Sequence, residues 1–361
     1  MQTQLNTYCA LLMNDMHVSQ DSVHEFEKNW QEALRICRIH GIKEVFIGGD
    51  LWQSRSAQTL ETLMAVYKFV RTFGDHCIHL VIAEGNHCKV NQEALEGYSQ
   101  LFAPYPMVTV VEEYQSFQLS EQLVISVMSY FPENNGFIPR FKRLSQEVSK
   151  QCPSFYNLLY IHEGINGGLN QLSDDELPIT LFDSSCFQKV LVGHYHNRKK
   201  INGSCVEYIG ASRQHNFGED ERKGYVLVRP DGSFDYYDNQ VNTRYVVLEK
   251  ELGQINQKDF LQLIESYKLH SNYDYRIKVK IKSDSLEITP KQREKLIEAG
   301  VSKIEVLYNG TCDTATPSQT FDNKFNKDQL KDEYVCFCSD KGESSQLGIQ
   351  YLNKINYSCG N

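Results

Sequence analysis

This sequence of 361 residues lacks several of the patterns by which proteins are commonly assigned to a class. No apolar run approaches the roughly 18 residues of a membrane span, and residues 1–7 lack the basic and then apolar stretch of a signal peptide. The eleven cysteines include no Cys-x-x-Cys pair, so a disulfide framework or a thiolate zinc site lacks its usual spacing. A net charge of −9 argues against a surface that attracts nucleic acid throughout. We therefore expect a soluble, cytoplasmic protein that makes no contact with a membrane.

What the sequence does contain is a repeated order of strand, loop and helix in its N-terminal part. Periodicity predicts strands at residues 8–13, 43–47 and 77–83 and helices at residues 22–40 and 59–73. Such repeats form mostly parallel sheets between helix layers, with the functional loops at the carboxyl ends of the strands. The second half is richer in predicted strands, at residues 157–161, 189–193, 206–209, 224–229 and 234–237. The pattern predicts an α/β fold in which two packed sheets share one site.

Potential metal ligands follow these strands. They are Asp15, His17, Asp50, Asn86, His87, His162, His194 and His196. If the strand before Gly193 continued through the last two histidines, alternation would put both imidazoles on one side. Mixed imidazole and carboxylate ligands suit manganese, iron or zinc rather than calcium or magnesium alone. Two neighbouring ions need a bridging anion, for which Asp50 is suited, and such pairs hydrolyse phosphate esters.

A boundary near Asn242 separates a large domain, residues 1–242, from a smaller α+β module, residues 243–310. The predicted helix at 290–299 has an N-cap at Thr289 and a glycine, Gly300, just past its end. The tail, residues 311–361, has two short helical segments that could dock on a partner. The middle strand of the module carries a basic row on one face, formed by Arg276, Lys278, Lys280 and Lys282. A solvated face explains this row, and so does a polyanion partner.

A family resemblance rests on these motifs. The ordered set Asp15-x-His17, Gly49-Asp50, Gly85-Asn86-His87, His162 and Gly193-His194-x-His196 resembles the calcineurin-like metallophosphoesterases. Within them the chain is similar to the SbcD-type double-strand-break repair nucleases and their phage recombination counterparts. Further matches are Gly210-Ala211-Ser212, Phe217-Gly218-Glu219 and Lys223-Gly224. The resemblance spans residues 8–308 and implies an αββα two-sheet metallophosphoesterase sandwich with a C-terminal α+β cap that binds DNA.

The resemblance also implies roles for individual residues. One ion would be held by Asp15, His17, Asp50 and His196, and the other by Asp50, Asn86, His162 and His194. His87 would stabilise the transition state or protonate the leaving oxygen. The implied ions are two Mn²⁺, with Mg²⁺, iron or zinc as alternatives. The implied partners are DNA, an SbcC-like coiled-coil ATPase and a second copy of the chain, in DNA end processing, recombination or repair in a bacterial or phage-infected cell.

Departures from the family pattern leave three functions open. Gln53 and Cys88 stand where the family has residues that could support His87, and Ile209 replaces the usual proline before Gly210. The chain could therefore be a manganese-dependent DNA nuclease, a DNA-end-binding subunit with weakened catalysis, or a metallophosphatase or phosphodiesterase with a substrate other than nucleic acid. Expected DNA contacts are Arg198, Lys199, Lys200, Arg276, Lys278 and Lys280.

Overall fold

The computed structural model describes residues 7–132, 136–169, 176–269, 273–283 and 288–308, together with residues 334 and 338. Twelve strands and three long helices precede residue 242 in this part of the chain. In chain order these elements are β1 (Ala10–Met13), α1 (Val23–His40), β2 (Glu44–Gly48), α2 (Leu60–Asp75), β3 (His79–Ala83), β4 (Val108–Val111), β5 (Tyr114–Gln118), β6 (Leu123–Met128), α3 (Ile138–Gln151), β7 (Tyr156–His162), β8 (Lys189–Gly193), β9 (Lys199–Lys200), β10 (Val206–Tyr208), β11 (Gly224–Val228) and β12 (Phe234–Asp238).

The first sheet has the strand order β12-β11-β1-β2-β3-β4. Strands β1 to β4 are parallel, as the repeated strand–helix pattern predicts, whereas β11 and β12 add to the edge of β1 in antiparallel pairing. The β-branched and aromatic composition of residues 108–128 predicts a hairpin or meander. Only β5 and β6 form that hairpin, because β4 pairs with β3 in the first sheet. Local composition predicts a strand, but it does not identify the strand's partner.

The second sheet has the order β5-β6-β7-β8-β10-β9 and packs against the first. Alternation along β1 shows the layering: Ala10 and Leu12 lie in the core between the sheets, and Leu11 and Met13 face the core under α1 and α2. Helix α3 covers the opposite side, where Phe141 packs in a third core. The layers therefore run helix, sheet, sheet, helix, and the predicted two-sheet α/β sandwich is confirmed.

Helix α1 illustrates how the sequence specifies these layers. Its apolar stripe, including Phe26, Trp30 and Ala33, is buried against the first sheet. The helix ends at Gly41, whose φ of 68° is the left-handed conformation that glycine adopts with little strain. Because the helix stops there, the chain turns directly into β2 and brings the next ligand loop to the same edge of the sheet.

The C-terminal part of the unit Met1–Tyr308, called the cap below, contains a three-stranded parallel sheet and two helices. Its elements are β13 (Arg244–Glu251), α4 (Lys258–Leu269), β14 (Tyr275–Ser283), α5 (Pro290–Ala299) and β15 (Val301–Tyr308). Thr289 caps α5 in a reciprocal pair of hydrogen bonds with Gln292, and Gly300 ends it at φ 116°, which confirms both predicted boundaries. Ile277, Val279 and Ile281 on β14 face the cap's own core.

The chain divides into two compact units, Met1–Tyr308 and Asn309–Asn361. The further division of the first unit at residue 242 stays a prediction. The two tail helices expected around residues 327–334 and 345–355 lie outside the described residues, apart from residue 334. Within the described ranges, the helices are too short or too polar to cross a lipid bilayer.

Phe69 on α2 provides a test of the core under the first sheet. Its ring is fully buried and lies 5.7 Å from that of Phe26 and 4.9 Å from that of Phe73. We expect Phe69→Ala to lower the free energy of unfolding by about 3–5 kcal/mol, because it leaves a cavity. Leu60→Ala on the same helix is the control, since Leu60 is 74% exposed. Urea denaturation followed by circular dichroism measures both, and equal effects would contradict the proposed packing.

Candidate metal centre

The eight predicted site residues lie at the carboxyl ends of five strands. Asp15 and His17 follow β1, Asp50 follows β2, Asn86 and His87 follow β3, His162 ends β7, and His194 and His196 follow β8. Six of them line an open cavity of about 250 Å³, and Asp15 and His162 are fully buried beside it. The structure therefore brings together residues from both sheets, as expected for a site shared between them.

The backbone at this site is strained. Among the described residues, five that are not glycine have a positive φ, and four of these belong to the site. They are Asp15 (50°), His17 (45°), Asp50 (46°) and His194 (84°). Such conformations cost roughly 1–3 kcal/mol each and persist where surrounding contacts enforce them. The strands thus turn sharply at their ends, and each turn aims a side chain into the space between the sheets.

This geometry corrects one expectation from the sequence. Strand β8 ends at Gly193, and His194 is in a left-handed conformation, so strand alternation does not orient His194 and His196. They nevertheless reach one centre, from different directions. The Nδ1 atom of His194 lies 3.2 Å from the side-chain amide of Asn86, and the Nε2 atom of His196 lies 3.2 Å from Nε2 of His17.

Two groups of converging donor atoms can be distinguished. Subsite A is formed by Asp15, His17 and His196. Oδ1 of Asp15 lies 3.9 Å from Nε2 of His17 and 3.8 Å from Nε2 of His196. These three side chains could hold a metal ion together.

Subsite B is formed by Asp50, Asn86, His162 and His194. Oδ2 of Asp50 lies 3.3 Å from Nε2 of His162 and 3.6 Å from Nε2 of His17 in subsite A, a position between the two subsites. Oδ1 of Asp15 is also 3.9 Å from Nε2 of His162, so Asp15 borders subsite B as well. Both carboxylates therefore lie between the subsites, whereas the sequence predicted only Asp50 as the bridging anion.

The side-chain amide of Asn86 lies between subsite B and the guanidinium of Arg55. One end lies 3.2 Å from His162, His194 and Oδ2 of Asp50, and the other lies 2.6 Å from the guanidinium of Arg55. Without an ion, hydrogen bonding favours the amide nitrogen toward the site and the amide oxygen toward Arg55. A cation reverses this preference, because only the oxygen has lone pairs to offer.

The donor set fits divalent ions. Oδ1 of Asp15 is buried without a hydrogen-bond partner and faces three imidazoles. Burial raises the pKa of Asp15. A buried carboxylate oxygen in this situation is costly unless a cation compensates it. Carboxylate, imidazole and amide donors without a thiolate suit Mn²⁺, iron, Zn²⁺ or Mg²⁺.

The buried histidines of the site differ in the direction in which their surroundings shift the pKa. Burial, reinforced by neighbouring imidazoles, lowers the pKa of His17 and of His194 to about 3. Burial also disfavours the charged form of His162, but the carboxylates of Asp50 and Asp15 outweigh it and raise its pKa to about 9. Burial opposes ionisation of Asp50 too, yet His162 and His17 hold the pKa of this carboxyl well below its usual range. In the metal-free chain a proton on His162 thus partly takes the place of a cation.

His87 is oriented by the backbone. Its Nδ1 atom donates to the backbone carbonyl oxygen of Gln53 over 2.8 Å. Its backbone amide donates to Oδ1 of Asp50, also over 2.8 Å. A backbone carbonyl provides this support whatever the side chain at position 53 is. The thiol of Cys88 is buried and hydrogen-bonded to Glu84. The two departures from the family pattern therefore leave His87 with a defined tautomer.

Several contributing residues were missed in the sequence. His215 donates from Nε2 to the carbonyl of Asp15 over 2.7 Å, and Glu219 accepts from Nδ1 of His196 over 2.8 Å. Asn14 donates to the carboxylate of Asp15, and Arg213 donates to the carbonyl of Met16. Glu219 lies in a motif already noted, but no spacing signal identifies the others, because each acts on a backbone or side-chain atom far away in sequence.

The six expected DNA contacts are not members of subsites A and B, and three of them are in ion pairs. Arg198 pairs with Asp238 over 2.7 Å and, with Lys199, lines a cavity of about 360 Å³ that also contacts His196. Lys200 is exposed at the end of β9. On β14, Lys278 pairs with Glu305, and Lys280 and Lys282 lie 3.7 and 3.4 Å from Glu249. Arg276 lies over the ring of Tyr245. The three lysines of the basic row therefore have counterions within the cap, and their mutual repulsion does not require a polyanion.

Comparisons with known proteins identify similar chains. Over 186 residues the chain is 29% identical to the SbcD component of the SbcCD nuclease of Staphylococcus epidermidis, a match that covers 47% of this chain and 45% of that protein. It is 21% identical over 359 residues to exonuclease subunit 1 of Enterobacteria phage T4, covering 96% and 97%. A crystal structure of TT1561 of Thermus thermophilus aligns with a TM-score of 0.41 at 15% identity, over 64% of this chain and 99% of that chain. No protein-family model matches the chain.

The fold and the site together define the class. The two-sheet sandwich with carboxylate, imidazole and amide donors at its strand ends is consistent with the metallophosphoesterase fold that the sequence motifs imply. The chain is similar to the staphylococcal SbcD protein over about half of that protein's length and to the phage protein over nearly its whole length.

Gly85 provides a test of the position of Asp50. A Cβ atom at Gly85 would lie 2.1 Å from Oδ1 and 2.3 Å from the backbone nitrogen of Asp50. We expect Gly85→Ala to displace this carboxylate and to weaken divalent-ion binding by roughly 10–100-fold, the effect of losing a residue that supports a ligand. Gly74→Ala is the control, because its Cβ would approach only Met107, at 3.9 Å. Isothermal titration calorimetry measures both, and unchanged affinity in the Gly85 variant would contradict the assignment.

The pKa of His162 predicts how ion binding depends on pH. Since this imidazole titrates at about 9 in the metal-free chain, it carries a proton at pH 7 that an ion must displace. Apparent affinity should rise about tenfold per pH unit between pH 6.5 and 8.5, as expected when one proton is released. Calorimetry in two buffers of different ionisation enthalpy measures the released proton. Affinity that does not change over this range would exclude a protonated His162.

Proposed function

We propose that the chain is a metal-dependent DNA nuclease that hydrolyses phosphodiester bonds at a pair of Mn²⁺ ions. The observation that carries this proposal is the arrangement of two donor groups around Asp15 and Asp50, beside an open cavity that His87 lines. Paired ions separated by a shared carboxylate are suited to phosphate-ester hydrolysis. The names of the two similar proteins, a nuclease subunit and an exonuclease subunit, support the same reaction.

The chain's own residues would divide the work as follows. Subsites A and B would hold the ions, which when bound polarise phosphoryl oxygens and make water a stronger nucleophile. The carbonyl of Gln53 fixes the proton of His87 on Nδ1, so Nε2 is the nitrogen that exchanges a proton with the substrate. Arg55, whose guanidinium lies beside Asn86, is placed to meet a phosphate oxygen once the amide of Asn86 turns toward an ion.

DNA is the proposed substrate, in end processing, recombination or repair. The phage and staphylococcal proteins are both named as subunits, which supports an assembly with a coiled-coil ATPase similar to SbcC. We also propose a homodimer, on the family resemblance alone. The cap, proposed as residues 243–310, would lie along the duplex, although its lysines already have counterions. The tail, residues 311–361, is proposed as the segment that docks on the partner.

The test is nuclease activity of the purified chain. We expect nucleotides to be released from linear duplex or single-stranded DNA with Mn²⁺ and not with EDTA. His87→Ala should lower turnover by about 10²–10⁴-fold, the usual contribution of a positioned acid or base, while Mn²⁺ binding is retained. His79→Ala is the control, because His79 bonds Glu44 and Thr109 away from the site.

Three results would overturn the proposal. No release of nucleotides, with His87→Ala indistinguishable from the parent, would exclude DNA hydrolysis. Turnover of a chromogenic phosphodiester without turnover of DNA would indicate a phosphodiesterase with another substrate. Binding of metal and DNA without cleavage, restored by Gln53→Asp, would indicate a DNA-end-binding subunit.

A further inference from the structure

The segment between β10 and β11 lies beneath the ligand loop that follows β1. Its residues Arg213 and Gln214 are 5% and 2% exposed, although both are polar. Arg213 is a buried cation, and burial lowers the pKa of its guanidinium. Burying such a group is costly unless its hydrogen bonds are satisfied. The partners of this segment therefore indicate what it does.

Three successive carbonyl groups of the ligand loop accept hydrogen bonds from this segment. Nε2 of His215 donates to the carbonyl of Asp15 over 2.7 Å. The guanidinium of Arg213 donates to the carbonyl of Met16 over 3.0 Å and to that of His17 over 3.4 Å. Because Asp15 and His17 both have positive φ, these contacts hold the loop in a conformation that it would otherwise leave.

The same segment also fixes the imidazoles of subsite A. Nδ1 of His17 is buried without a hydrogen-bond partner among the described residues, so packing must orient this ring. The ring of His215 packs edge-on against that of His17, with ring centres 5.1 Å apart. Glu219 accepts from Nδ1 of His196 over 2.8 Å and from the backbone amide of His215 over 3.1 Å. Both histidines of subsite A are thus supported from one side.

Gln214, between Arg213 and His215, points the other way and binds the cap. Its side-chain amide donates to the carbonyl of Tyr245 and accepts from the amide of Tyr245, each over 2.9 Å. The side chain of Gln214 thus bonds both backbone groups of Tyr245, as the backbone of a neighbouring strand would. The ring of Phe217 packs against that of Tyr245, with ring centres 5.2 Å apart. Alternate residues of one short segment therefore contact the metal ligands and the cap.

We propose that residues 213–217 form a positioning element that holds subsite A in its strained geometry and couples it to strand β13 of the cap. Arg213 and His215 are its positioning residues toward the metal ligands, and Gln214 is its contact to the cap. The proposal rests on the proposed function, because it requires that subsites A and B bind ions. Of the residues that border subsite B, this element contacts only Asp15; Nδ1 of His162 contacts the backbone carbonyl of Gly48 instead.

The test measures Mn²⁺ affinity in two backgrounds, each with one subsite disabled. In His194→Ala the remaining ion occupies subsite A, and we expect a further His215→Leu substitution to weaken it by roughly 10–100-fold. In His196→Ala the remaining ion occupies subsite B, and the same substitution should change its affinity less than about threefold, because Asp15 is the one residue bordering subsite B that this element contacts. Mn²⁺ electron paramagnetic resonance counts free and bound ions in each protein.

Matched variants separate positioning from general destabilisation. His215→Gln keeps a donor for the carbonyl of Asp15 and should restore most of the affinity. Arg213→Lys keeps the charge without the forked donor and should weaken subsite A alone. An equal loss in both backgrounds, or none in either, would overturn the positioning role. If the unaltered chain bound no Mn²⁺, the proposed function would fail first and this inference with it.

Hydrogen–deuterium exchange tests the coupling to the cap. Since coupling between two sites is reciprocal, saturating Mn²⁺ should slow exchange of the Tyr245 amide by about threefold or more in the unaltered chain. In Gln214→Leu this amide should exchange rapidly with and without Mn²⁺, while both ions still bind. Peptides from β15 are the internal control and should not respond. Exchange at Tyr245 that is insensitive to Mn²⁺ in the unaltered chain would overturn the coupling.

Discussion

The burial of two carboxylates beside one another is the constraint on which the rest of the site depends. Asp15 and Asp50 are 0% and 2% exposed, and both face the same set of imidazoles. Two buried negative charges repel each other and lose their hydration, which costs several kcal/mol for each uncompensated ion. In the metal-free chain a protonated His162 relieves part of this cost, and the pKa of His162 is raised for that reason. A pair of divalent ions relieves it more fully, because their charge meets both carboxylates at once.

The strained strand ends follow from the same constraint. Regular strand geometry cannot direct side chains from five strands toward one centre, because successive side chains of a strand alternate between the two faces of the sheet. Left-handed turns at Asp15, His17, Asp50 and His194 redirect them. Glycines provide the remaining space: a Cβ atom at Gly49 would lie 2.3 Å from the ring of His162. The strain is offset by hydrogen bonds to the turns themselves, of which those from Arg213 and His215 are the best defined.

The sequence predicted most of the sandwich and the identity of the converging residues, because both depend on local pattern. Hydrophobic periodicity defined the strands and helices, and polar residues just after apolar strands indicated the ligands. The features that the sequence could not predict depend on contacts between residues far apart in the chain. The pairing of β11 with β1 and the approach of His215 to Asp15 each join residues about 200 positions apart. The left-handed conformation of His194 was also missed, since the residue in that conformation is a histidine and not the glycine that usually adopts it.

A chain of net charge −9 needs local positive charge to attract a phosphate backbone. The basic side chains that the sequence offered for this purpose are largely neutralised, Arg198 by Asp238 and Lys278 by Glu305. Ion pairs on a surface leave little field at a distance, because each positive charge is offset within a few ångströms. If subsites A and B hold divalent cations as proposed, these cations and the nearby guanidinium of Arg55 would supply much of the attraction for phosphate at the cavity. Binding of a phosphodiester would then depend on the ions themselves, since the proposed metal centre would be both the catalytic apparatus and the main source of positive potential at the site.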